Sequence, residues 1–144
     1  MSPKTLAFKC ALVTGGGGGI GLAMSKHLIS LGKSVRMVGR TEKTLTQAAK
    51  ELGNNTAYYV LDPGNISAIP EFCKKVIKEH PEVDCLINNA AVQKPLDINN
   101  FDLQSADQEI DINIRGPMHL TIGFLEHLKS KEAATIINIS SLLG

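Results

Sequence analysis

The sequence predicts one α/β domain, a doubly wound parallel sheet of about five strands in the order 3-2-1-4-5 with helices on both faces. Three observations predict it. Short apolar runs alternate with helical patterns along the whole chain. That rhythm gives a parallel sheet covered on both sides, with right-handed crossovers. The first apolar run leads straight into five consecutive glycines, Gly15 to Gly19, and then into a helical pattern. Finally, polar residues gather where the predicted strands end: Thr14, Arg40, Asp62, Asn88, Asn89, Ser140 and Ser141. In open sheets of this kind ligands bind at the carboxyl ends of the strands, near the point where strand order reverses.

The first strand spans Cys10 to Thr14. Ile20, Met24, Leu28 and Leu31 then recur at helical spacing until Gly32 stops the helix. The second strand, Ser34 to Val38, ends at Gly39-Arg40. The helix after it has Thr41 as candidate N-cap, Leu45, Ala48, Ala49 and Leu52 on one face, and Gly53 just past its end. A third strand, about Thr56 to Leu61, runs into the turn Asp62-Pro63-Gly64. The third helix sets Ile69, Phe72, Val76 and Ile77 opposite Lys74, Lys75, Lys78 and Glu79. The fourth strand, Cys85 to Ile87, ends in Asn88-Asn89-Ala90-Ala91. After a loop from Val92 to Asn100 a long helix is expected, about Leu103 to Leu128. Its apolar stripe includes Ile110, Ile114, Leu120, Phe124, Leu125 and Leu128, with a kink or local break at Gly116-Pro117. The fifth strand is Thr135 to Ile139.

The glycine stretch carries the first functional signal. Glycine lets the backbone turn sharply and approach a ligand without a Cβ in the way. A helix N-terminus behind it offers unpaired N–H groups and partial positive charge to an anion. Strand, glycine turn and helix together make a Rossmann-like dinucleotide fingerprint. Five glycines in a row satisfy several templates at once, including Gly16-x-Gly18-x-x-Gly21 and Gly15-x-x-x-Gly19-x-Gly21. The loop alone therefore indicates a nucleotide phosphate and not a family.

Composition narrows the class further. The chain has 144 residues, 43% hydrophobic and 20% charged, enough for one domain with a core. A net charge of +1 gives no argument for a nucleic-acid partner or an acidic membrane surface. Cys10, Cys73 and Cys85 are odd in number and show no metal-ligand spacing, and the four histidines form no H-x-x-x-H pair, so no metal site is expected. The cysteines read as core thiols of a cytoplasmic protein. Met1-Ser2-Pro3-Lys4 lacks the apolar stretch of a secretion signal, and no apolar run is long enough to span a membrane.

Taken together, these residues resemble the short-chain dehydrogenase/reductase family, over essentially the whole chain. Thr14-Gly15-x-x-x-Gly19-Ile20-Gly21 resembles its T-G-x-x-x-G-I-G cofactor loop. Asn88-Asn89-Ala90-Ala91 resembles its N-N-A-G element, with Ala91 where glycine is usual. Asn113, in Ile112-Asn113-Ile114-Arg115-Gly116-Pro117, is similar to the family's helix asparagine. The stretch from Ile137 to Gly144 resembles the fifth-strand segment that bears the catalytic serine, and Ser141 fits S-x-x-G better than Ser140.

The resemblance implies hydride transfer between a nicotinamide cofactor and a carbonyl or alcohol substrate. It makes Ser141 the hydroxyl that holds the carbonyl oxygen and Asn113 the residue that holds a proton-relaying water. It assigns phosphate binding to the loop containing Gly15, Gly17, Gly18 and Gly19 and the ribose–nicotinamide side to Asn89, Ala90 and Ala91. Asp62, with Pro63 beside it, would meet the adenine amino group, or simply form the turn. After the second strand, the position of a ribose-binding carboxylate is Gly39, and Arg40 follows it. That pattern favours NADP(H) over NAD(H), with Thr41 adding a hydroxyl to the 2′-phosphate or capping its helix. The family's tyrosine and lysine lie beyond its serine and have no counterpart here; Tyr58 and Tyr59 stand in the third strand. The chain therefore reads as a truncated, cofactor-binding part, inactive alone. The long helix 103–128 is a possible homo-oligomer surface. Competing readings are a nucleotide-binding regulator without catalysis and a protein-interaction module.

Overall fold

A computed structural model describes residues 6–95 and 97–141. The expectations for Met1 to Lys4, and for Leu142, Leu143 and Gly144 of the serine segment, lie outside the described residues.

Five strands form one sheet: β1 (Cys10–Thr14), β2 (Ser34–Gly39), β3 (Thr56–Val60), β4 (Cys85–Asn88) and β5 (Thr135–Asn138). Their order is β3-β2-β1-β4-β5, as the sequence predicts. All four pairings are parallel, with Val13 beside Met37 and Ile87, and Asn88 beside Asn138. Central strands that are covered on both faces need continuous apolar runs. Accordingly every residue of β1 and of β4 is buried. β5 alternates half-buried and exposed residues.

The helices are α1 (Gly19–Ser30), α2 (Glu42–Leu52), α3 (Ile69–Glu79), α4 (Leu103–Ile110) and α5 (Gly116–Lys129). They divide the core into two layers. On one face of the sheet Leu12, Leu86, Phe72, Val76, Leu120, Phe124 and Leu128 pack together. On the other, Val13, Val35, Met37, Leu28, Leu45 and Ile87 do. Burying each of the larger side chains contributes about 1.5–3 kcal/mol.

Three local expectations need correction. Ile20 of α1 and Leu31, the residue just past its end, are exposed, and the buried face is Gly21, Ser25 and Leu28. Small residues are needed there because the helix starts hard against the glycine loop. The long helix is locally broken, as expected, but the irregularity falls just before Gly116-Pro117 and not at it. A π turn, Asp111–Arg115, inserts between α4 and α5, and Pro117 sits in the first turn of α5, where its missing N–H costs nothing. The wider turn shifts the helical phase, so Ile110, Ile114 and Leu125 face outward while Ile112 is buried. Thr41 does occupy the N-cap position of α2, but its side chain caps nothing; Thr44 Oγ1 instead donates to Thr41 O at 2.8 Å. A short 3₁₀ turn, Ile66–Ala68, precedes α3.

Because every strand runs the same way, all five carboxyl ends lie along one edge of the sheet. The glycine loop, Gly39-Arg40, Asp62-Pro63, Asn88–Ala91 and Ile139–Ser141 are thereby brought to that edge.

Candidate functional site

The glycine loop is shaped by close contacts. Gly15 has φ 65 and Gly19 φ 50, values that side chains rarely adopt. A Cβ on Gly21 would lie 2.1 Å from Gly15 O and 2.7 Å from Asn89 Nδ2, so the first turn of α1 can sit on the loop only without a side chain there. Gly17 is boxed in by Leu45 and Thr44, whereas space around Gly18 is open. Gly18 is the N-cap of α1 and supplies no side-chain cap, so the first N–H groups of the helix remain available to an anion.

Thr14 clasps this loop to the end of β4. Its buried hydroxyl accepts from Asn89 N at 3.0 Å and Ala90 N at 2.9 Å, and its own O–H points to Ile87 O at 3.4 Å. Asn89 Nδ2 in turn donates to Thr14 O at 2.9 Å. Both residues therefore act by holding two loops together.

A cleft of about 350 Å³ opens between these loops. Gly15, Gly18, Ile20, Gly39, Arg40 and Pro63 line it, with Asn89, Ala90, Ala91, Val92 and Ile112 opposite. Most of the residues expected at a cofactor thus meet in one place. Gly17, Gly19, Gly21, Thr14, Thr41 and Asp62 are not part of its lining. Asp62 shapes the turn beside it, with Oδ1 accepting from Gly64 N at 2.9 Å. Arg40 is exposed, and among the described residues it makes no hydrogen bond or ion pair.

Asn113 sits in the π turn. Its Nδ2 donates to Val92 O at 2.7 Å and its Oδ1 accepts from Val92 N at 2.8 Å. Both polar atoms of the side chain thus serve the loop after β4. Ser140 and Ser141 are exposed just beyond β5. Under that strand end, buried Asn88 donates to Asn138 Oδ1 at 2.9 Å and to Thr121 Oγ1 at 3.3 Å.

Other reactive groups are held elsewhere. Tyr58 OH accepts from Thr46 at 3.0 Å, and Tyr59 OH donates to Glu79 at 2.5 Å. Burial pushes the thiols of Cys10, Cys73 and Cys85 up to about 12, so none is a thiolate nucleophile near neutrality. Val92 and Ile112 belong to the cleft although the sequence patterns did not mark them. Ile112 was hidden because a regular helix would bury Ile110 and Ile114 instead; its only signal was its place next to Asn113.

The family model for short chain dehydrogenase matches residues 9–144. The chain belongs to that family. An uncharacterized oxidoreductase of Bacillus subtilis (strain 168), DltE, is 35% identical over 137 residues, covering 92% of this chain and 53% of its own length. Among solved structures, a metagenomic short-chain oxidoreductase in complex with NADP has TM-score 0.86 and 30% identity, over 93% of this chain and 62% of that one. The 3-ketoacyl-(acyl-carrier-protein) reductase of Brucella melitensis, complexed with NADH, has TM-score 0.83 and 25% identity, over 92% and 57%. This short-chain dehydrogenase domain therefore spans little more than half the length of these relatives. No helix among its described residues is long and apolar enough to cross a membrane.

Proposed function

We propose that this chain is the NADP(H)-binding part of an oxidoreductase acting on a carbonyl or alcohol. The observation that carries the reading is Arg40. It lines the cleft directly after β2 with no acid paired to it, and Gly39 stands where a carboxylate would select a free ribose hydroxyl. A guanidinium there suits a 2′-phosphate. The residues present fit a dinucleotide, because the uncapped start of α1 offers N–H groups and the open space at Gly18 admits a diphosphate.

When bound, the cofactor supplies hydride. Arg40, helped by the hydroxyl of Thr41, holds the 2′-phosphate; the free oxygen of Asp62 meets the adenine edge beside Pro63. The N–H groups from Gly17 to Ile20 take the diphosphate. Asn89, Ala90 and Ala91 would form the ribose–nicotinamide wall, to which Ala91 adds a methyl group. Ser141 donates to the substrate oxygen, and Asn113 positions the wall through Val92. The proton donor of the reaction is not among these residues, since both tyrosines are committed to β3's surroundings. The 144-residue chain therefore binds cofactor without turnover. Three free buried cysteines suit a reducing cytoplasm.

Titration with NADPH and with NADH, read by cofactor fluorescence, tests the reading. Tighter binding of NADPH supports it; equal binding of both, or of neither, overturns the NADP assignment. A second reading rests on the outer helix face, where Ile110, Ile114, Met118, Ile122 and Leu125 are exposed along α4, the π turn and α5. Such a stripe suits pairing with a second copy. Sedimentation of the wild type against Ile122→Glu checks it, a dimer lost in the variant being the expected result.

A further inference from the structure

The π turn Asp111–Arg115 touches both walls of the cleft. On the Arg40–Pro63 side, Ile112 is buried, lines the cleft and packs on the turn after β3. A Cβ on Gly64 would lie 2.7 Å from Ile112 Cγ1, and one on Gly116 would lie 2.5 Å from Pro63 O. The two segments therefore meet with no room for a methyl group. On the far wall, the very next residue, Asn113, grips Val92 N and Val92 O. Adjacent residues of one short turn thus hold opposite sides of one site. π turns are uncommon insertions that concentrate at functional sites, where the extra residue redirects side chains. Here the redirection is what turns Ile112 inward while Asn113 reaches Val92.

We propose that this π turn couples the two ends of the cleft. An adenosine nucleotide seated between Arg40 and Pro63 bears on Ile112, and Asn113 passes the contact to Val92. The first half of the dinucleotide then sets the wall that receives the second half. Ile112 and Asn113 are positioning residues for opposite ends of one ligand. Since coupling is reciprocal, a group held against Val92 also tightens the adenosine end. The inference rests on the dinucleotide reading above. It adds a mechanical link which that reading does not require.

Amide hydrogen exchange at Val92 is the readout, because that N–H is the one Asn113 holds. The probe is adenosine 2′,5′-bisphosphate, which carries the adenosine and the 2′-phosphate but no nicotinamide. At saturation it is expected to slow Val92 exchange about tenfold in the wild type. In Asn113→Ala the slowing is expected to vanish and, because the coupling is reciprocal, probe affinity is expected to fall about tenfold. Asn113→Asp keeps the acceptor for Val92 N and retains part of the effect. Gly64→Ala, whose methyl displaces Ile112, weakens the probe about tenfold, and Ile112→Ala, which removes the side chain the nucleotide bears on, also weakens it and abolishes the slowing at Val92.

Unchanged Val92 exchange with the probe bound, or equal slowing in Asn113→Ala, overturns the coupling. Failure of the probe to bind the wild type overturns the dinucleotide reading instead. A ligand-free arm then decides the link by itself: Gly116→Ala must speed exchange at Val92 by a larger factor than at Val13 in the buried centre of β1, which reports the global loss of stability. Equal factors at the two positions overturn the link.

Discussion

The hydroxyl of Thr14 accepts the backbone N–H of Ala90 at 2.9 Å. It accepts Asn89 N as well, so one buried oxygen satisfies two backbone donors at the end of β4 and ties them to the glycine loop. Thr14→Val keeps the shape and removes that acceptor. It is expected to cost about 2–4 kcal/mol, since leaving a buried donor unpaired costs about 1–3 kcal/mol. Thr14→Ser keeps the hydroxyl and is expected to cost about 1 kcal/mol, the worth of one buried methyl. Urea denaturation of the three proteins checks this, and equal losses in the two variants would show that the hydroxyl is not the clasp.

Neighbouring glycines of the loop should differ sharply under the same change. Gly21→Ala drives a methyl into Gly15 O, a backbone atom that cannot move without moving β1's end. A loss of at least about 3 kcal/mol is expected, at the upper end for overpacked sites. Gly18 has φ -164 and open space around it. Gly18→Ala is expected to leave stability within about 0.5 kcal/mol of the wild type. Any effect it has on dinucleotide binding is then a direct measure of how closely a ligand approaches that position.

Arg40→Ala is expected to weaken NADPH binding about 10–100-fold, the range of a lost charge-assisted hydrogen bond of about 1.5–3 kcal/mol. NADH, lacking the 2′-phosphate, should change by less than about threefold. NADPH affinity should also fall with added salt in the wild type and lose part of that dependence in the variant. Equal losses for the two cofactors would remove the 2′-phosphate from Arg40.

The sheet was legible in the sequence because β1 and β4 are buried on both faces, and full burial writes itself as unbroken apolar runs such as Ala11-Leu12-Val13. The collection of polar residues at strand ends followed from the parallel order alone. Helix faces were less legible. In α1 the buried positions include Gly21 and Ser25, which carry no hydrophobic signal because their smallness, not their polarity, is what packing selects. Gly116-Pro117 announced an irregularity in the long helix, but at Asp111–Arg115 just before it an inserted residue breaks the helical period, and no residue type there gives its position. The phase error moved attention from Ile112 to Ile110 and Ile114. Thr14 and Asn89 carry a second task that the motifs did not show, since their side chains hydrogen-bond each other's backbone.

Finally, the three buried thiols make stability depend on alkaline pH. Burial raises Cys10, Cys73 and Cys85 from 9.0 to about 12, with Cys73 packed where Gly123 leaves it room. A group whose pKa is raised in the folded state supports folding fully below its unfolded value and loses that support as pH rises. The loss should therefore begin near pH 9 and continue toward pH 12. Within that window each thiol releases its proton on unfolding and not before, which lowers stability by about 1.4 kcal/mol per pH unit per thiol. Denaturant midpoints measured from pH 8 to pH 11 should fall with a slope that Cys73→Ala reduces, after allowance for the cavity it leaves at neutral pH. All other groups are common to both proteins, so the difference between variant and wild type is the quantity to read. Identical slopes would mean that Cys73 meets solvent in the folded protein.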